Sequence, residues 1–106
     1  MLAEIDVEGL RDRLGGEGAP TVVDVREPGE IELAPFAGAL CIPMGEIPSR
    51  VDEVPRDAPL VILCHHGMRS ARVAAFLTDQ GFADVTNLRG GIDAWSLRID
   101  PSVPRY

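Results

Sequence analysis

The sequence predicts an α/β fold with parallel strands, and three observations carry that prediction. Short apolar runs alternate along the chain with segments whose apolar positions recur at helical spacing. The most apolar run, Leu60–Val61–Ile62–Leu63, shows no polar alternation, as expected of a strand covered on both faces. The apolar share is 45% with only 5% aromatic, so the interior must be built mainly from Val, Ile, Leu and Ala, as in sheets covered by helices. Residues 1–106 are expected to form one domain, long enough to bury roughly two-thirds of the surface that the unfolded chain would expose.

The elements follow in order. Leu2 to Ile5 reads as a short first strand, and Asp6 as the cap of a helix in which Val7, Leu10 and Leu14 share a face, ended by Gly15–Gly16. Thr21 to Val25 is β-branched and bounded by Pro20 and by Arg26–Glu27–Pro28; it reads as a strand whose carboxyl end gathers Asp24, Arg26 and Glu27. Glu27 to Leu33 reads as a short helix with Pro28 in its first turn, stopped by Pro35 and Gly38. Ala39 to Ile42 is an apolar run closed by Pro43, and Gly45 to Val54 is weakly helical around Pro48. After the central strand, Ser70 to Gln80 is the clearest helix: residues 73, 74, 76 and 77 make an apolar stripe, while Arg72, Thr78, Asp79 and Gln80 form its wet edge. Gly81 suits the left-handed position that closes a helix, with Phe82 as the accompanying hydrophobic contact. Asp84 to Leu88 reads as a strand, Gly90–Gly91 as a turn and Ile92 to Leu97 as a short helix anchored by Trp95; Pro101 and Pro104 prevent the tail from being helical throughout. Alternation of this kind implies right-handed crossovers and a ligand at the carboxyl ends of the strands, where Cys64 lies.

Composition narrows the chemistry. The net charge of −7 argues against nucleic acid as a partner, because phosphate affinity rests on clustered cations and none is present. Every basic residue is an arginine. Lysine Schiff-base chemistry is therefore excluded, and an anion in a site must be met by arginine or by backbone N–H groups. No run reaches the ~18 apolar residues of a membrane span, and Met1 to Gly16 is charged and lacks the apolar core of a signal peptide. The protein is expected to be soluble and cytoplasmic, with Cys41 a buried hydrophobe not paired with Cys64.

The chemistry concentrates in Cys64–His65–His66–Gly67–Met68–Arg69–Ser70. A cysteine at the passage from a buried strand to a helix N-terminus meets unpaired N–H groups and the positive end of the helix dipole, which favour the thiolate. Such a thiol, with an arginine in the same turn, ionises at a pKa of roughly 3.5 to 7.5 instead of ~8.5. The spacing is C-x4-R followed by Ser70, and a loop of that length turns successive N–H groups toward one anion, with Gly67 free to take a positive φ. Adjacent Cys, His and His lack the separated second pair of a structural zinc site, so no metal is expected, nor any other cofactor. His65 and His66 are expected to shape the loop wall, with proton transfer by a neutral imidazole as the alternative. Asp24 and Arg26 read as structural support, a carboxylate paired with an arginine that fixes loop shape.

Asp24–Val25–Arg26–Glu27–Pro28, Gly38–Ala39 with Ile42–Pro43, the Cys64 to Ala71 loop, Gly81–Phe82, and Asn87–Leu88–Arg89–Gly90–Gly91 with Ala94–Trp95 occur in the order seen in rhodanese-like domains, which the chain resembles from about residue 3 to 97. The closing Asp100–Pro–Ser–Val–Pro–Arg–Tyr106 is similar to the end of rhodanese domains fused to ubiquitin-like-protein-activating sulfurtransferases. The resemblance implies a five-stranded parallel sheet flanked by helices and a thiosulfate sulfurtransferase. Cys64 would take a sulfane sulfur as a persulfide and yield it to cyanide or a thiol; residues 65 to 70 would hold the outer sulfur, and Arg69 would meet the charge of the donor. It departs from many relatives in having Ala34–Pro35–Phe36–Ala37–Gly38–Ala39 where they carry a histidine. Two other readings stand beside it. One is a persulfide relay whose partner is a cysteine desulfurase or a sulfur-carrier protein. The other is a phosphatase, disfavoured because that loop needs C-x5-R and Ser70 stands where the arginine belongs. The persulfide chemistry rests on inward-facing amides around the sulfur, and a Cys64 side chain walled off from solvent with those amides turned elsewhere would overturn it.

Overall fold

A computed structural model describes residues 2–106. The strands are β1 (Glu4–Ile5), β2 (Thr21–Asp24), β3 (Leu40–Cys41), β4 (Leu60–Leu63) and β5 (Val85–Leu88), and the helices α1 (Val7–Leu14), α2 (Pro28–Leu33), α3 (Met68–Asp79) and α4 (Gly91–Arg98). Among the described residues these strands form one five-stranded sheet in the order β1-β5-β4-β2-β3, with every pairing parallel. The expected α/β architecture is what the chain adopts.

β4 sits at the centre because it is apolar on both faces. Leu60, Ile62 and Cys64 join one hydrophobic cluster with Val73, Ala74 and Leu77 of α3, while Val61 and Leu63 join a second with Val7, Leu10 and Ile92 of α1 and α4. The period of two along the strand thus divides one apolar run between two cores. Asp6 caps α1 by accepting the Gly9 N–H at 2.8 Å, and Gly81, with φ +92°, ends α3 as its sequence position predicts.

Several boundaries move, each for a local reason. α3 begins at Met68, two residues before the expected start, because Gly67 at φ +106° lets the chain enter the helix at once. Gly45 to Val54 resolves into two 3-10 segments, Met44–Glu46 and Pro48–Glu53, the second kinked at Arg50. Cys41 is a correction: it is exposed, not buried, because β3 is a two-residue edge strand covered on one side. Both cysteines are free thiols. Among the described residues no helix is long and apolar enough to cross a membrane.

The sheet order creates the site. The chain leaves β2 toward β3 on one side and leaves β4 toward β5 on the other, so a crevice opens between the carboxyl ends of β2 and β4. Asp24 pairs with Leu63 in register across that boundary, which places the residues after β2 beside the Cys64 loop.

Candidate active site

The loop after β4 is held from behind before it holds anything. The Cys64 and His65 carbonyls accept the Ile92 and Asp93 N–H groups at 2.9 and 3.1 Å, so the first turn of α4 satisfies two loop carbonyls. That approach requires glycine at position 91: its φ is +58°, and a Cβ there would lie 2.5 Å from the Cys64 oxygen and as tightly against that of His65. From the other side Asn87, 1% exposed on β5, donates through Nδ2 to the Gly67 carbonyl at 3.1 Å and accepts the Ser70 hydroxyl through Oδ1 at 2.5 Å.

Thus braced, the loop turns inward. The Gly67 N–H points at Cys64 Sγ from 3.1 Å, and the Ser70 hydroxyl lies 3.2 Å from it. Burial works against the thiolate, yet the hydrogen bonds from the Ser70 hydroxyl and from the Ser70, Gly67 and His66 amides outweigh it, so the thiol ionises below its ordinary pKa. Cys41 is the reverse: partial burial and the nearby Asp24 charge push its thiol up, although it is the exposed one. Cys64 is itself only 1% exposed. The Gly67 N–H is therefore turned toward the sulfur, but the thiol itself is almost wholly covered.

The Ser70 hydroxyl has one proton to offer, claimed by Asn87 when the thiol is neutral and required by the sulfur when it is ionised. Ser70→Ala is expected to raise the Cys64 pKa and to lower its alkylation rate about tenfold at mildly acidic pH, the loss vanishing at high pH. Iodoacetamide kinetics against pH on a Cys41→Ser background would check this; an unmoved profile would show that the amides alone set the ionisation.

The other expected residues fall into three groups. Asp24 and Arg26 are both fully buried and paired at 2.7 Å. Asp24 accepts the Arg26 N–H and guanidinium, and Arg26 also donates to the Ala34 carbonyl at 2.8 Å and to the Tyr106 hydroxyl at 3.2 Å. The loop they shape is their own, leading into α2, and not the cysteine loop. Met68 is 77% exposed on the first turn of α3, so its side chain lies outside the sulfur cradle. Arg69 does not face an open anion site: its guanidinium donates to both carboxylate oxygens of Glu30, at 2.7 and 2.8 Å. That pairing holds Glu30 down to about 2 despite partial burial, with further help from the Tyr106 hydroxyl at 2.9 Å.

His65 and His66 stack on each other at 3.9 Å between ring centroids, and Tyr106 stacks on the far face of His65 at 3.9 Å. The three rings form one stack, with the tail as its outer leaf. One ligand atom each of His65, His66 and Asp93 lies within 4.8 Å of the others, a grouping not legible in the sequence. Both Asp93 oxygens already accept from Arg105, at 2.9 and 3.2 Å. Glu30, Asn87 and Tyr106 also join the site without having been expected from the sequence. For Asn87 the signal is an amide beside Thr86 within a short strand flanked by Val85 and Leu88.

Comparison with known proteins identifies the family and the fold. The family model described as the rhodanese-like domain matches residues 6–98. A sulfurtransferase of Allochromatium vinosum is 45% identical over 96 residues, covering 91% of this chain and 90% of the relative. A probable adenylyltransferase/sulfurtransferase, MoeZ, of Mycobacterium tuberculosis is 35% identical over 99 residues, and the match takes in 92% of this chain but 25% of that longer protein. The crystal structure of a rhodanese-related protein from Thermoplasma volcanium superposes with a TM-score of 0.82 at 31% identity, over 96% of this chain and 95% of that one.

Proposed function

Because the chain belongs to the rhodanese-like family of sulfurtransferases, we propose that it moves a sulfane sulfur from a donor such as thiosulfate, through a persulfide on Cys64, to a thiophilic acceptor such as cyanide or a thiol. The observation that carries this reading is the Gly67 N–H and Ser70 hydroxyl aimed at a thiol of lowered pKa. Such a cradle stabilises first the attacking thiolate and then the outer sulfur of the persulfide.

The steps follow from those groups. The Cys64 thiolate attacks the outer sulfur of the donor; a new S–S bond forms, and the donor's own bond to that sulfur breaks with its electron pair leaving on sulfite or on a thiolate. The acceptor then attacks the outer sulfur, and the Cys64 thiolate leaves with the pair, completing a ping-pong cycle. The α4 amides and Asn87 hold the loop so that its N–H groups need not reorganise between the two halves. Release of thiocyanate from a sulfane donor and cyanide by the purified protein tests the reading. A protein that turns over neither thiosulfate nor any persulfide contradicts it.

A persulfide relay is the second reading, and it is supported by the matches to a quarter of a longer relative named as a probable adenylyltransferase/sulfurtransferase and to half of one named as a putative sulfur carrier protein. The protein partner would then be a cysteine desulfurase or a sulfur carrier. The phosphatase reading has less support still, because position 70, where that loop carries its arginine, holds a fully buried serine bound to Cys64 and Asn87.

A further inference from the structure

Three arginines near the Cys64 site are already engaged. Arg69, in the turn that follows the cysteine, is closed bidentately on Glu30. Arg26 is closed on Asp24 and Arg105 on Asp93. Glu30 is itself held by more than Arg69: it accepts the Tyr106 hydroxyl at 2.9 Å and, as part of the α2 capping box, the Glu27 N–H at 3.2 Å. The cleft against which Arg69 lies is lined also by Glu27 and Glu46, and Glu46 is paired with Arg50 at 2.9 Å. The net charge is −7, and the chain has no lysine to stand in for a paired arginine.

We propose that Glu30 is a specificity-determining residue: its carboxylate sits on Arg69 where a donor's oxyanion would bind, and the site therefore takes sulfur from thiol-borne persulfides in preference to dianionic donors such as thiosulfate. This deepens the sulfurtransferase reading above and rests on it. A dianion approaching the site meets a carboxylate already paired with both terminal nitrogens of the guanidinium, so it must either displace Glu30 from its partners or bind against like charge. An alkyl persulfide carries at most one negative charge and needs no guanidinium. The Cys64 thiolate attacks the terminal sulfur of R–S–SH, the new S–S bond forms as R–S⁻ leaves with the old bond pair, and the terminal proton stays on the transferred sulfur. The inward amides suffice to receive that sulfur.

The experiment measures persulfide formation on Cys64 by quenched alkylation and intact mass, with thiosulfate and with N-acetylcysteamine persulfide, whose thiol scaffold is uncharged. It compares the native protein with Glu30→Gln, which keeps an oxygen for the capping box while presenting its amide to Tyr106 and removing the charge, and with Tyr106→Phe, which loosens Glu30 without touching Arg69. The native protein should load faster from N-acetylcysteamine persulfide. Glu30→Gln should raise the ratio of thiosulfate to persulfide loading about tenfold at low salt, Tyr106→Phe should raise it less, and added salt should narrow the difference. A folded Glu30→Gln protein whose ratio is unchanged or lower, with native loading from the persulfide intact, overturns the inference and leaves the sulfurtransferase reading standing. Failure of both donors to load native Cys64 overturns that reading and the inference with it.

Discussion

Replacing Cys64 with serine should reduce thiocyanate release by at least about 10³-fold while leaving the fold in place. The substitution is close in volume and keeps a hydrogen-bonding atom where the Gly67 N–H and the Ser70 hydroxyl converge, at 3.1 and 3.2 Å, so packing is barely disturbed. What it removes is a group able both to ionise below the ordinary thiol pKa and to carry a second sulfur. Cys41→Ser, at the exposed edge of the sheet, is the control and should retain activity. Steady-state assay of both variants checks this; Cys64→Ser protein with native turnover would show that Cys64 is not the nucleophile.

Gly91→Ala should cost more stability than Cys64→Ser, Ser70→Ala or Glu30→Gln, although it adds only one methyl group. The residue has φ +58°, where a Cβ costs about 1–2 kcal/mol. The added carbon would also press on the His65 and Cys64 carbonyl oxygens, 2.5 Å from the latter, a conflict with backbone worth a further ~1–3 kcal/mol. About 3 kcal/mol in total lowers the melting temperature by on the order of 10 to 20 °C in a domain of this size. Because those carbonyls belong to the loop, surviving folded protein should also show a raised Cys64 pKa, as the amides at residues 66 to 70 lose their aim. Thermal melting with thiolate titration tests both parts, and a variant that melts within a few degrees of the native protein would show that α4 yields easily and does not brace the loop.

How far the sequence was legible depends on how local the cause is. The continuous apolar run Leu60–Leu63 predicts a central strand because no polar residue interrupts either of its faces, and the structure divides its side chains between two clusters accordingly. Asp6, Gly81 and Phe82 act through residues a turn or less away, and their roles are as read. The error at Cys41 is one of edge geometry, since the same short apolar run would be buried in an interior strand. Arg69 reads in the sequence as a free anion receptor because its partner, Glu30, lies 39 residues earlier, across the crevice. Gly91 reads as a turn because its second task, letting α4 approach the Cys64 carbonyl, exists only once the helix is docked. In each case the missing cause is a contact between segments distant in sequence.

The most direct test is mass spectrometry of the protein after exposure to a sulfane donor, with peptide mapping before and after cyanide. One additional sulfur on Cys64, lost to cyanide as thiocyanate, is the expected result. An added sulfur found on Cys41 alone, or a Cys64 that gains none while the protein remains folded, would contradict a persulfide mechanism at Cys64.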